Sequence, residues 1–285
     1  MRTSQPIGLF YTLICGLLWS TAGVFIKLLP WHPLAIACVR SALAAGVLYA
    51  AMVLLQKRRR VLVNRQTVRS GVFLGLTMLL FVIANKMTTA ANAIVLQSTA
   101  TVFVILYGIL VRKEHPPRRD LIATGCVFLG IVLFFLDSLS PRGLVGNLVA
   151  LASAVTFAGV FLTSTDAKDD HTAISGLIVG QVFTAAVGLP FLLSTAPLLT
   201  PTTVGSSLFL GIFQLGVAYV LFSYGSQRCT PLAMALVAMV EPICSPVWVA
   251  IFAHEVPGPL ALIGAAIVLG SLTVWSIVNA RHHAA

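Results

Sequence analysis

The sequence predicts an all-α integral membrane protein of ten transmembrane helices, arranged as two inverted five-helix repeats around a central cavity. Three observations carry that expectation. The composition is too apolar for water, ten apolar stretches have membrane-crossing length, and short matches recur at fixed offsets between the two halves.

Of 285 residues, 58% are hydrophobic and 9% charged, and the mean hydropathy is +0.99. A water-soluble domain of this length does not reach such values. The apolar stretches cover residues 7–28, 33–55, 70–88, 90–111, 120–137, 144–164, 172–194, 203–224, 231–252 and 258–279. Each holds about 18 to 23 residues, which at 1.5 Å per residue crosses ~30 Å of hydrocarbon. The connections are short, so no soluble domain is expected outside the bundle.

The net charge of +10 does not point to nucleic acid, because the basic residues fall between the apolar stretches. With the N-terminus in the cytoplasm, fourteen of the eighteen Lys and Arg lie inside, among them Lys57 to Arg60, Arg65, Arg69, Arg112, Arg118, Arg119, Lys168 and Arg228. Only Lys27, Lys86 and Arg142 flank the outer face. This is the positive-inside pattern, and it puts both termini in the cytoplasm. The run 56–60, QKRRR, is read as a topology anchor. Five scattered cysteines without framework spacing are read as packing residues. The first stretch is too long for a signal peptide and lacks a small-x-small cleavage site before Trp31, so it is expected to stay in the mature protein.

Internal similarity supplies the repeat. AGVF at 22–25 returns at 158–161, and FLG at 73–75 returns at 209–211, both at an offset of 136. Glu114 and Glu255 close the fourth and ninth stretches at an offset of 141, each followed by a proline-bearing turn and a glycine-spaced helix. The predicted units are 1–138 and 143–280. A unit of five helices is odd, so the second enters the membrane from the opposite side. That inversion is the architecture of alternating access.

Residues 16–46 carry a Trp followed by small residues, a Lys at the helix end, a Pro opening the second helix, then an Arg: Trp19, Lys27, Pro33 and Arg40. Residues 235–270 carry Glu241 and Pro242 mid-helix and Glu255 before the last helix. In these features the chain resembles the EamA-domain transporters of the drug/metabolite transporter superfamily, over nearly its whole length. The resemblance implies a cavity lined by helices one to four and six to nine, peripheral fifth and tenth helices, and transport of small metabolites. Within the superfamily the chain looks most like the bacterial aromatic and broad-specificity amino acid exporters. Two positions depart from the family pattern. The fourth-helix Pro is Thr101, so a proline kink is supplied to the ninth helix alone, and the Gly after the first-helix Trp is Ser20.

Arg40 is expected ~10 Å deep from the outer side and Glu241 ~15 Å deep from the inner side. Each costs roughly 2.5 to 3.5 kcal/mol to insert alone. Three placements relieve that cost: facing a wet cavity, bridging each other, or, for Arg40, snorkelling outward. A cavity placement suits the carboxylate and ammonium of an amino acid. Met234, Ala238, Glu241, Ser245 and Trp248 follow steps of four, three, four and three and are assigned to one cavity-facing side of the ninth helix. Gln97, matching Ala238 in the repeat, is assigned either to the cavity or to an interhelical hydrogen bond. Pro242 and Pro246 free carbonyls one turn earlier and are candidate kink or gating residues.

Met78, Phe81 and Asn85 share a face of the third helix. Gln214 and Tyr219 come from the eighth, and Trp19 and Phe157 add aromatic surface. Together they suit an apolar side chain. Gly16, Ser20, Gly23, Ala158 and Gly159 are read as close-packing positions. The six histidines fall outside the predicted spans, and neither HExxH nor a Walker sequence occurs. No metal site, catalytic residue or cofactor is therefore expected. The acidic run 165–170, TDAKDD, is read as a solvated turn. The expected partners are a small-molecule substrate, an amino acid, and membrane lipid. Neither nucleic acid nor an obligatory protein partner is inferred. The expected location is the bacterial cytoplasmic (inner) membrane, and the expected activity is export of amino acids, aromatic and apolar ones included. The alternatives are a multidrug or other small-metabolite exporter and, further off, a membrane-embedded enzyme.

Overall fold

The structure, a computed structural model, describes residues 5–88, 90–113, 115–136 and 144–253. Of the last apolar stretch it describes 259, 260, 262–264, 266, 267, 270, 271, 274, 275 and 278. Glu114, Arg142, Glu255 and the turn after it, and the other residues of the tenth predicted helix, lie outside the described residues.

The described chain is helical. It forms α1 (Gln5–Trp19), α2 (Ala22–Lys27), α3 (Pro33–Gln56), α4 (Arg65–Met87), α5 (Ala90–Ser98), α6 (Ala100–Leu110) and α7 (Arg118–Leu136). There follow α8 (Leu144–Thr165), α9 (Asp170–Thr195), α10 (Pro201–Phe209), a π-helical segment (Leu210–Val217), α11 (Ala218–Ser226), α12 (Pro231–Ala238) and α13 (Val240–Ala253). Six stretches are long and apolar enough to cross a membrane: Gln5–Lys27, Pro33–Gln56, Arg65–Met87, Leu144–Thr165, Asp170–Thr195 and Pro201–Ser226. The chain is thus a multi-pass membrane protein. The apolar helices Leu96–Leu110 and Pro231–Ser245 are shorter.

Local chemistry sets the helix starts. Asn64 and Thr67 form a capping box on α4, and Thr200 and Thr203 form one on α10. Prolines at the first turn of α3, α10 and α12 sit where no N–H partner is lost. Asp169 caps α9 by accepting from Thr172 N at 2.7 Å. That bond, with the Thr172 side chain, holds the Asp169 carboxyl below its ordinary range. The folded pKa is depressed, so the stabilisation is complete above the ordinary carboxylate pKa and is lost as pH falls through the folded value. Asp169→Ala is expected to cost about 1 kcal/mol near neutral pH and to flatten the acid side of a stability-versus-pH curve measured by thermal unfolding.

Three membrane stretches are interrupted, each for a visible reason. Between α1 and α2, Ser20 Oγ donates to Leu17 O at 2.6 Å and Thr21 Oγ1 to Leu18 O at 2.7 Å. Such back-bonding of Ser and Thr bends helices. Between α5 and α6 the same chemistry recurs, with Ser98 Oγ on Ile94 O at 2.8 Å and Thr99 Oγ1 on Leu96 O at 2.6 Å. Between α12 and α13 the break falls at Met239, one turn before Pro242, where the proline ring leaves a carbonyl without its partner. The replacement of the fourth-helix proline by Thr101 therefore does not remove the interruption: adjacent hydroxyls at Ser98 and Thr99 produce one without a proline.

Packing follows a regular plan. α3 lies along α9, and α4 along α8 and α9. α1 packs on α11 and α12, the π-helical segment on α3, and α5 and α6 on α8. At one end of the bundle Lys27 Nζ donates to Thr88 O at 3.0 Å and Lys86 Nζ to Leu29 O at 2.5 Å, while Thr88 Oγ1 donates to Asn147 Oδ1 at 2.8 Å. At the opposite end Gln227 Nε2 donates to Ser164 O at 2.9 Å and Gln66 Nε2 to Thr163 O at 2.7 Å.

The acidic run at that second end is more than a solvated turn. Asp166 pairs with Arg112 at 2.6 Å and Arg69 at 3.7 Å, Asp169 caps α9, and Asp170 pairs with Arg228 at 3.3 Å. Opposite charges brought together by the fold, not by sequence neighbourhood, explain the difference. These pairs are partly exposed, so each stabilises by at most about 1 kcal/mol.

Candidate functional site

Two interrupted helices and one continuous one build a cleft. The α5/α6 break contributes Gln97, Ser98, Ala100 and Thr101, α8 contributes Phe157 and Phe161, and the α12/α13 break contributes Ala235, Ala238, Met239 and Glu241. The free space is about 10 Å³, room for about one water molecule, so the cleft is closed to a larger ligand in this conformation. The helix breaks matter here, because an interrupted backbone is tolerated at membrane depth only where protein or a wet cavity meets its free polar groups.

Glu241 is 7% exposed and in the first turn of α13. The ion pairs among the described residues join Asp166, Asp120 and Asp170 to arginines at the bundle ends; none joins Arg40 to Glu241. No basic side chain is among the cleft-lining residues. Gln97 lines the cleft and donates from Nε2 to Ser153 Oγ at 2.7 Å.

The predicted face of the ninth helix divides at the Met239 break. Ala238 and Glu241 line the cleft, while Met234 is in the apolar core. Ser245 is buried near Gly23, and Trp248 Nε1 donates to Ser20 Oγ at 2.7 Å. A single helical period fails because the interruption rotates α13 relative to α12. Ser20, a departure from the family pattern, is thus a bonding partner that glycine is not. Pro242 is buried one turn after the break, and the side chain of Pro246 lies outside the described residues.

A second group gathers away from the cleft lining. Arg40 is 1% exposed, donates from Nη2 to Met78 Sδ at 3.3 Å, and lies 6.0 Å from the Phe81 ring centroid. Asn85 Nδ2 donates to Phe81 O at 3.3 Å. Gln214 is buried on the π-helical segment. A cluster of aromatic rings packs against the cleft wall at Phe157. Trp19 meets Phe157 edge-on at 5.4 Å, Tyr219 at 5.1 Å and Phe222 at 5.6 Å.

Sequence reasoning missed Ser98, Ala100, Ala235 and Met239 as cleft walls, and Phe222 as part of the ring cluster. The adjacent hydroxyls of Ser98 and Thr99 inside an apolar helix were the available signal. Small and apolar residues carry none until their neighbours are known. The close-packing positions appear as expected: Gly16 lies against Val240, Gly23 against Ala90, and Gly159 against Phe73.

The EamA-like transporter family model matches the chain twice, over residues 6–136 and 144–277. The chain is 27% identical over 277 residues to the uncharacterized transporter YwfM of Bacillus subtilis (strain 168), covering 93% of this chain and 92% of that protein. An uncharacterized transporter of Archaeoglobus fulgidus is 28% identical over 218 residues, covering 74% and 77% of the two chains. A solved crystal structure superposes with a TM-score of 0.77 at 19% identity, over 96% of this chain and 98% of that one.

Proposed function

The chain belongs to the EamA-like transporter family, and from that premise we propose that it is a secondary transporter exporting amino acids, aromatic and apolar ones included, by alternating access. The observation that carries the substrate class is Glu241. It is a carboxylate in a membrane cleft with no basic side chain in the lining and with Phe157 and Phe161 as walls. An ammonium supplies the missing charge, the rings take an apolar side chain, and Gln97 and Thr101 offer hydrogen bonds. No covalent reaction is assigned to the site.

Two lines support inverted repeats with units 1–138 and 143–280. The ends of the first and third membrane stretches meet through Lys27 and Thr88, so these run parallel. The end of the third meets the start of α8 through Thr88 and Asn147, so these run antiparallel. The helices that open the two matched segments therefore point in opposite directions. The contact plan also maps onto itself when the halves are exchanged. α4 on α8 corresponds to α11 on α1, α4 on α9 to the π-helical segment on α3, and α5 on α8 to α12 on α1.

The end bearing Arg69, Arg112 and Arg228 is assigned to the cytoplasm, with both chain termini there, in a bacterial inner membrane.

The test is uptake of labelled phenylalanine and leucine by proteoliposomes containing the purified protein, with and without a pH gradient. Saturable uptake above protein-free vesicles is expected; its absence for every amino acid tried removes the substrate class. A second reading, export of organic amines, draws on the lack of a cation in the cleft lining. Phenethylamine competing more strongly than phenylalanine selects it.

A further inference from the structure

Resting on the amino-acid reading above, one buried group still lacks a counterpart. Two of the three guanidinium nitrogens of Arg40, Nε and Nη1, have no hydrogen-bond partner. The third meets only the thioether of Met78, a weak acceptor. No carboxylate among the described residues lies within 4.0 Å, and the residue is 1% exposed, so it does not snorkel outward. A guanidinium held this way is costly to the fold, and an incoming acceptor would relieve that cost.

We propose that Arg40 is the anion half of a divided substrate site, taking the α-carboxylate of the amino acid whose ammonium rests on Glu241, with Trp19 as the partition between the halves.

Four observations carry this. Guanidinium is the side chain best matched to carboxylate, and here its donors are free. Tyr219 and Glu241 both lie within electrostatic reach of Arg40, so the two charges are near without touching. Trp19 touches cleft-lining Phe157 on one side and Tyr219 on the other, and its own Nε1 has no partner. Gln214, also with an unpartnered amide oxygen, is buried on the π-helical segment, which packs along α3, the helix that carries Arg40. π-helical turns concentrate at functional sites.

Trp19 is the last residue of α1, directly before the Ser20–Thr21 interruption. A rotation there would move the ring at the expense of its contacts with Tyr219 and Phe222 of α11. In the present conformation the ring stands between the half-sites, and one amino acid cannot satisfy both. Withdrawal of the ring joins them. The substrate class is accordingly the free α-amino acid, and neither an amine nor a carboxylate alone makes both contacts.

The experiment is equilibrium binding of radiolabelled phenylalanine and phenethylamine to the full-length protein in nanodiscs, for wild type, Arg40→Gln and Arg40→Lys. Wild type is expected to bind phenylalanine at least tenfold tighter than phenethylamine, roughly the effect of one charge-assisted contact. Arg40→Gln should remove that preference, leaving phenethylamine within about twofold, and Arg40→Lys should restore part of it. The unliganded Arg40→Gln protein should melt no lower than wild type, because no carboxylate among the described residues pairs with the charge. Equal weakening of both ligands together with a lowered Tm assigns Arg40 to the fold and overturns the proposal. So does a wild-type preference for phenethylamine, which needs no variant to fold. Binding of neither ligand by wild type defeats the amino-acid reading itself.

Discussion

Glu241→Gln is expected to weaken amino-acid binding by about 10- to 100-fold and to abolish net uptake. The magnitude follows from a charge-assisted hydrogen bond of about 1.5 to 3 kcal/mol, at 1.4 kcal/mol per tenfold. The substitution keeps the shape of the side chain and removes the only charge among the cleft-lining residues. No ion pair among the described residues is broken, since none of their arginines or lysines lies within 4.0 Å of Glu241. The Tm of the variant should therefore hold or rise, which separates lost binding from lost folding. Unchanged affinity for phenylalanine in the Gln variant would take Glu241 out of the site.

The second large effect is on stability. Gly188 lies where α9 crosses α3, and a methyl group there would press on Leu34 O and sit 2.8 Å from Cys38 Cβ and 3.0 Å from Cys38 N. Two of these three atoms are main chain and cannot rotate away. Gly188→Ala is expected to cost about 3 kcal/mol, the upper part of the range for overpacked interiors, read as a lower Tm in detergent. Gly46→Ala on the same α3 is the control. Nothing lies within 4 Å of a methyl group at that position, so only helix propensity acts, and the variant should gain about 0.5 to 1 kcal/mol. Equal effects at the two positions would mean that close approach at the α3–α9 crossing does not hold the bundle.

Much of this architecture was legible because hydrophobic length is a local property. The stretch expected at 33–55 is helix Pro33–Gln56, and 144–164 is Leu144–Thr165. The stretch expected at 70–88 begins earlier, at Arg65, since the Asn64–Thr67 capping box starts the helix among charged residues that hydropathy discounts. The close-packing glycines were equally readable, because only the absence of a side chain permits backbones to touch.

The candidate site was legible in its members and not in its arrangement. Glu241, Gln97, Phe157 and Ala238 do meet around one cleft, whereas Arg40, Met78 and Phe81 form another group. Helical spacing could not separate them, because the two groups are assembled from different helices, and the break at Met239 resets the period on which the ninth-helix face depended.

By itself, then, the sequence determined that this chain lives in a bilayer, which stretches are apolar enough to cross it, and which polar groups it carries into the apolar interior, since each depends on residues close along the chain. The tertiary structure alone decided which of those groups share a hollow and that the acidic turn at 166–170 binds distant arginines. These are contacts between residues tens to hundreds of positions apart, set by helix crossings that no local pattern encodes.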